Sequence, residues 1–180
     1  MSDIQTSDIG DSISSILGSN RELDASRRFT VIRVITDLFL NDHGRMTSSE
    51  RALHEEVWYS AIAEAGVAAR REVAERFASN RRPPQKVVRL LMRDEIDVAK
   101  NLLLHSPALS NADLMQVAQD MSLEHRLAIA QRGQLSPIVV DVLISHKETC
   151  ILHAVARNSS AEISAETMRQ LVAWSEHDAE

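Results

Sequence analysis

One property narrows the folds open to this chain more than any other: beyond residue 83 the sequence repeats itself every 26 to 28 residues. Taking Pro84, Ser110, Ser136 and Ser164 as anchors, Val88, Leu114, Val140 and Met168 stand four residues later, and Leu91, Val117, Leu143 and Leu171 stand seven later. All eight are apolar, and that spacing puts each pair on one face of a helix. Leu109, Leu135 and Ile163 precede the last three anchors, where an apolar residue staples the incoming chain to the helix. The anchors suit helix starts. A serine hydroxyl accepts from a free amide of the first turn, and proline, such as Pro137 after Ser136, loses nothing there by lacking an N–H. Second apolar segments lie between anchors, at 96–104, 123–130 and 150–156. Each unit therefore reads as two short helices. Small residues (Ala99, Ala128, Ala130, Ala154, Ala156) let neighbouring helices approach closely. A period of this size built from helix pairs predicts an all-α chain, an α-solenoid in which no unit buries its apolar face alone.

Composition points the same way. Five Gly and four Pro in 180 residues supply too little turn chemistry for a meander of short strands. With 44% hydrophobic and 26% charged residues the chain has the usage of a folded globular domain. The single cysteine, Cys150, excludes an internal disulfide, and no apolar run approaches the ~20 residues that span a bilayer. The first ten residues carry Asp3 and Asp8 and no cation, unlike a secretory signal, so a reducing cytoplasm is expected.

Upstream of the repeat, two or three longer helices are expected within residues 21–82. Phe29, Ile32, Ile35, Leu38 and Phe39 form an apolar stripe over 28–40, and Val31, Val34 and Leu40 widen it, which predicts cover on two sides and offers a surface for a homodimer. Gly44 suits the end of that helix. Thr47 and Glu50 read as a capping box opening a second helix with Leu53, Val57, Trp58, Ala61 and Ala65 inward, closed by Gly66. A third spans 67–78 with Val73, Ala74 and Phe77 inward, and Pro83-Pro84 stops it. The expected organisation is a tail at 1–20, one helical domain at 21–175 (21–82, then the repeat at 83–175, about four pairs), and a frayed end at 176–180.

Charge is unevenly placed. The net charge is −6, but residues 66–100 hold nine cations against five anions, while the segments on either side each carry a net −5. Arg81, Arg82, Lys86, Arg89 and Arg93 form the densest part of this belt and make a candidate docking patch for a protein with an acidic surface. Nucleic acid is disfavoured, because the whole molecule repels a polyanion and the six aromatics do not alternate with the cations as a stacking platform requires.

Few residues suggest chemistry. His146, Cys150 and His153 are spaced four and three apart, as zinc ligands on one helix face would be, but a fourth ligand is lacking and Lys147-Glu148 reads as the helix start, so no metal is expected and Cys150 reads as a buried thiol. His54, with Glu55 beside it, has the make-up of a phosphoacceptor histidine of two-component signalling oriented by a neighbouring acid. His125 reads as a capping or packing residue, since no nucleophile accompanies it. Neither a P-loop nor a dinucleotide-binding glycine motif occurs, and no cofactor is expected.

The strings Thr36-Asp37-Leu38-Phe39-Leu40, Asp97-Val98-Ala99 through Ser106-Pro107-Ala108-Leu109, His125 with Ala128-Ile129-Ala130 and Arg132, Leu135-Ser136, and Asn158 with Ala161 resemble an alphaproteobacterial family known as a domain of unknown function, number twenty-three thirty-six. The resemblance runs over roughly residues 21 to 175. It implies HEAT-like helical repeats and a bacterial cytoplasmic protein, and it supplies no catalytic residues. It also places an apolar or aromatic residue more often than a histidine at the position of His54. HEAT-like folds include DNA-base glycosylases, which makes a DNA-binding or base-repair protein the second alternative, with Arg70 to Lys100 lining the groove. The expectation that results is a non-enzymatic interaction or scaffolding module, with histidine phosphotransfer through His54 as the first alternative.

Overall fold

A computed structural model of the chain describes residues 25–42 and 47–177. Ten helices follow one another among them: α1 (Ala25–Asp42), α2 (Ser48–Ala63), α3 (Val67–Ala78), α4 (Gln85–Leu91), α5 (Ile96–His105), α6 (Asn111–Asp120), α7 (Leu123–Ala130), α8 (Pro137–Ser145), α9 (Thr149–Arg157) and α10 (Ala165–His177). The expected tail at 1–20, Gly44, the side chains of Leu38, Glu50 and Leu53, and the last three residues lie outside the described part. No strand occurs among the described residues. The nearest approach to one is an isolated parallel bridge between Leu135 and Ala161, 26 residues apart.

Packing skips one helix at a time. α1 packs on α3, α3 on α5, α5 on α7 and α7 on α9, while α2 packs on α4 and α6 on α8. Odd and even helices thus make two layers, with successive hairpins side by side. The core between the layers holds the apolar positions that the repeat singles out: Val88, Leu91, Leu114, Val117, Val140 and Leu143 are all buried. In the first units it holds an aromatic cluster, Phe39 of α1, Trp58 of α2 and Phe77 of α3, with ring centroids 4.8 to 6.2 Å apart. Each such pair contributes about 0.5–1.5 kcal/mol beyond its buried area.

All four anchors precede a helix. Ser110 caps α6 in a complete box with Asp113, and the Ser164 hydroxyl accepts from the Thr167 amide at 3.0 Å. Ser136 departs from expectation: its buried hydroxyl has no partner, because the Val139 amide it would serve bonds the Ser136 carbonyl instead.

Other expectations need correction for reasons of place. Gly66 does not close α2; it has an extended backbone (φ −66°, ψ 155°) and opens α3. The stripe on α1 is covered by α3 and by the Trp58 ring, so Ile32 and Phe39 are buried while Val34 stays 51% exposed. In the last unit Met168 is exposed and Leu171 half-buried, because no described helix follows α10. The repeat region thus contains three complete hairpins and a single helix. Ala156 lies at the surface, and Cys150, in the first turn of α9, is exposed, since that helix turns Ile151, Leu152 and Val155 inward.

Polar bonds at the period of the repeat tie hairpin to hairpin. Arg132, just beyond α7, is buried and donates to the carbonyls of Leu103 (2.8 Å) and Ser106 at the end of α5. Asn158, just beyond α9, donates to the carbonyls of Ala130 (2.9 Å) and Arg132 (2.8 Å) at the end of α7. α5 and α7 therefore have orphan C-terminal acceptors satisfied by the hairpin that follows. Burial pushes the Arg132 guanidinium below its ordinary pKa. No described carboxylate is bonded to it; its described acceptors are carbonyl oxygens.

Candidate interaction cleft

α4 is only seven residues long, and Val87, Val88 and Leu91 fix its inner face. Lys86 and Arg89 are thereby turned outward, with half-buried Leu90 at the margin of the core and Arg93 one turn on. α2, packed against α4, ends in small residues, so an open cleft of about 660 Å³ forms between them. Tyr59, Ala63 and Leu90 give it apolar surface; Arg70, Lys86, Arg89 and Arg93 give it cations, with Asp94 the one acid.

The cations are held from both sides. On the α2 side, Glu55 accepts from the Lys86 amide, capping α4 from outside, and Glu56 pairs with the Lys86 ammonium. The hydrogen bond to Glu56 raises the Lys86 pKa. On the α6 side, Arg89 Nε meets Asp113 at 3.1 Å, and Arg93 meets Asp120. Burial alone would push the Asp113 carboxyl up, but bonds from the Ser110 hydroxyl and amide and the charge of Arg89 outweigh it and hold it below the usual range. Arg89, which lines the cleft, meets Asp113 through Nε, and its two terminal nitrogens make no hydrogen bond to a described residue. At the cleft wall, Arg70 bonds Asp94 through two nitrogens and the Ala65 carbonyl through a third; the Asp94 bond raises its pKa.

The expected belt is thus gathered in part. Lys86, Arg89 and Arg93 line one cleft. Arg81 and Arg82 sit in the turn before α4, exposed and without an ion-pair partner among the described residues. Tyr59, Ala63 and Leu90 were missed by sequence reasoning, which weighed the charges and not the apolar surface between them.

The other candidates are placed as follows. His54 is half-buried on α2, and Glu55, expected to orient it, is turned to the Lys86 amide. His125 is buried, its Nε2 donating to the Asp94 carbonyl (2.8 Å) and its Nδ1 2.9 Å from the Ser122 hydroxyl, which is a packing role. His146 lies in the turn after α8, and Lys147 takes a left-handed φ of 55° before α9 begins at Thr149, so His146 is off the helix that carries Cys150 and His153. Among the described residues no group of three His, Cys, Asp or Glu side chains could hold a metal ion. Nor is any described helix long and apolar enough to cross a membrane.

Neither a curated protein nor a solved structure matches the chain. A family model does match, over residues 98–180, so the cleft residues 59–94 precede the matched span and the wider resemblance over 21–175 holds for its C-terminal part. The matched span, from within α5 to the C-terminus, is thus similar to a bacterial family described as an uncharacterised protein conserved in bacteria, domain of unknown function 2336.

Proposed function

We propose that the chain is a non-enzymatic protein-interaction module of the bacterial cytoplasm, which receives an acidic surface at α4 and the turn before it. The observation that carries this reading is the row Lys86, Arg89 and Arg93 along an open cleft with apolar surface, continued by Arg81 and Arg82, which have no ion-pair partner among the described residues. Guanidinium groups recognise carboxylates through planar, two-pronged bonds, and tyrosine adds area at little entropic cost. Stacked helical hairpins commonly present such extended surfaces to partners.

The test is co-purification from the native cell, comparing the parent chain with a variant carrying Arg81→Glu, Arg82→Glu, Arg89→Gln and Arg93→Gln. Glutamine is chosen at 89 and 93 so that no new acid faces Asp113 or Asp120. A partner retained by the parent and lost by the variant, at equal helicity and melting temperature, supports the reading. Undiminished recovery refutes it.

A further inference from the structure

The cations of the cleft are not idle. Lys86, Arg89 and Arg93 are each held by a carboxylate of this chain, Glu56, Asp113 and Asp120, so an acidic ligand meets a surface already neutralised from within. The three pairs differ in kind. Asp113 has a 9% exposed side chain and also closes the capping box of α6, so it belongs to the fold. Glu56 and Asp120 have side chains 60% and 53% exposed, and among the described residues no further hydrogen bond or ion pair occupies those carboxylates. Asp120 is the last residue of α6, where a negative charge opposes the helix dipole. Its place there contributes nothing to α6, which leaves its hold on Arg93 as its effect.

Geometry also specifies the ligand. Lys86 and Arg89 stand three residues apart on α4 and Arg93 four further on, in the turn that continues from its end, so the row advances by about one helical turn, ~5.4 Å, at each step. Carboxylates at i, i+4 and i+7 of a helix repeat with that rise, whereas alternate residues of an extended strand are ~6.6 Å apart and drift out of step. Tyr59, Ala63 and Leu90 face the same space, and the small Ala63 side chain leaves room for an apolar residue of the ligand.

Resting on the reading of the cleft as a docking site, we infer that its ligand is an amphipathic acidic helix of a partner protein, and that Glu56 and Asp120 are built-in competitors which that helix displaces from Lys86 and Arg93. The exchange is conservative in charge: two exposed ion pairs within the chain open and two form across the interface. The competitors therefore set a threshold, rejecting ligands with one or two scattered acids and admitting those whose carboxylates match the row.

The experiment is a fluorescence-anisotropy titration of the full chain with a labelled synthetic 16-residue helical peptide carrying Glu at i, i+4 and i+7 around a Leu, alongside a scramble of the same composition. The opposing pairs are exposed and correspondingly weak, so Glu56→Gln and Asp120→Asn should each tighten the helical peptide about 1.5- to 5-fold, and together more. Glu162→Gln changes net charge equally at an exposed site away from the cleft and should leave the affinity unaltered. Arg89→Gln with Arg93→Gln should weaken it at least tenfold. Equal binding of peptide and scramble overturns the helical ligand, and equal tightening by Glu162→Gln, or none by the other two, overturns the competition. If the peptide fails to bind while charge-dependent co-purification persists, this inference falls and the docking reading stands; if both fail, both fall.

Discussion

Replacing Arg132 by Met tests whether the hairpins are joined by polar bonds as well as by apolar packing. The substitution preserves length and most of the apolar stem but removes every donor. The carbonyls of Leu103 and Ser106, at the buried end of α5, would lose their charged partner. A hydrogen bond from a charged group contributes about 1.5–3 kcal/mol, and a buried acceptor left alone costs about 1–3 kcal/mol. Against these stands the relief of no longer burying a guanidinium whose pKa the interior already depresses, an effect of several kcal/mol that offsets part of the loss. The expected balance is a destabilisation of about 2–4 kcal/mol, read from urea unfolding followed by far-ultraviolet circular dichroism. Arg132→Lys keeps a charge that reaches one carbonyl and should cost about half as much. Because Asn158 bonds the Arg132 carbonyl, Arg132→Met and Asn158→Ala should couple by at least ~0.5 kcal/mol in a double-mutant cycle. An Arg132→Met chain within about 0.5 kcal/mol of the parent would refute the reasoning, since apolar contact alone would then hold the hairpins together.

Two further outcomes are expected. Bonds from Arg126 hold the Glu148 carboxyl below its usual range, and Asp113 is also held low, so the folded chain binds these protons less readily than the unfolded one. Their stabilising effect is complete above the unfolded values near pH 4 and is lost as pH falls through the lower folded ones; the unfolding midpoint should drop between about pH 5 and pH 3, and Glu148→Gln should flatten that drop, whereas an identical acid profile would contradict the assignment. Cys150, exposed at the start of α9, should react with a thiol-specific chromogenic disulfide in the native chain without urea, and labelling that requires unfolding would show the thiol to be covered.

The sequence made the helices legible because the repeat states its pattern several times over. Pro84, Ser110, Ser136 and Ser164 all stand immediately before helices, and 67–78 and 123–130 match α3 and α7 residue for residue. Exposure was harder to read. Cys150 and Ala156 sit within an apolar string, and a nine-residue helix must turn some of its string to solvent whatever its composition. The stripe of α1 failed similarly at Val34, because α3 and the Trp58 ring cover one side of that helix and Val34 stands on another.

The site was legible as charge and illegible as shape. The belt named three residues of the cleft, but the acids that hold them lie 24 to 30 residues away on other helices, at separations set by the fold. One regularity was available and missed. Arg70 and Arg126, the fourth residues of α3 and α7, both bond the carbonyl five positions back and a carboxylate at the start of the next odd helix or just before it, Asp94 and Glu148. Extending the repeat backward past Pro84 would have paired them.

The bonds by which Arg132 and Asn158 reach back to α5 and α7 also limit how such a chain can change in length. Removing a hairpin between unmatched positions strands the acceptors of its predecessor and leaves its successor's donors without a target. A cut through half a unit does both and shifts every inward side chain besides. Viable insertions and deletions must therefore come as whole multiples of the 26-residue module, joined at matching positions such as Ser106, Arg132 and Asn158, like links that open only at the clasp.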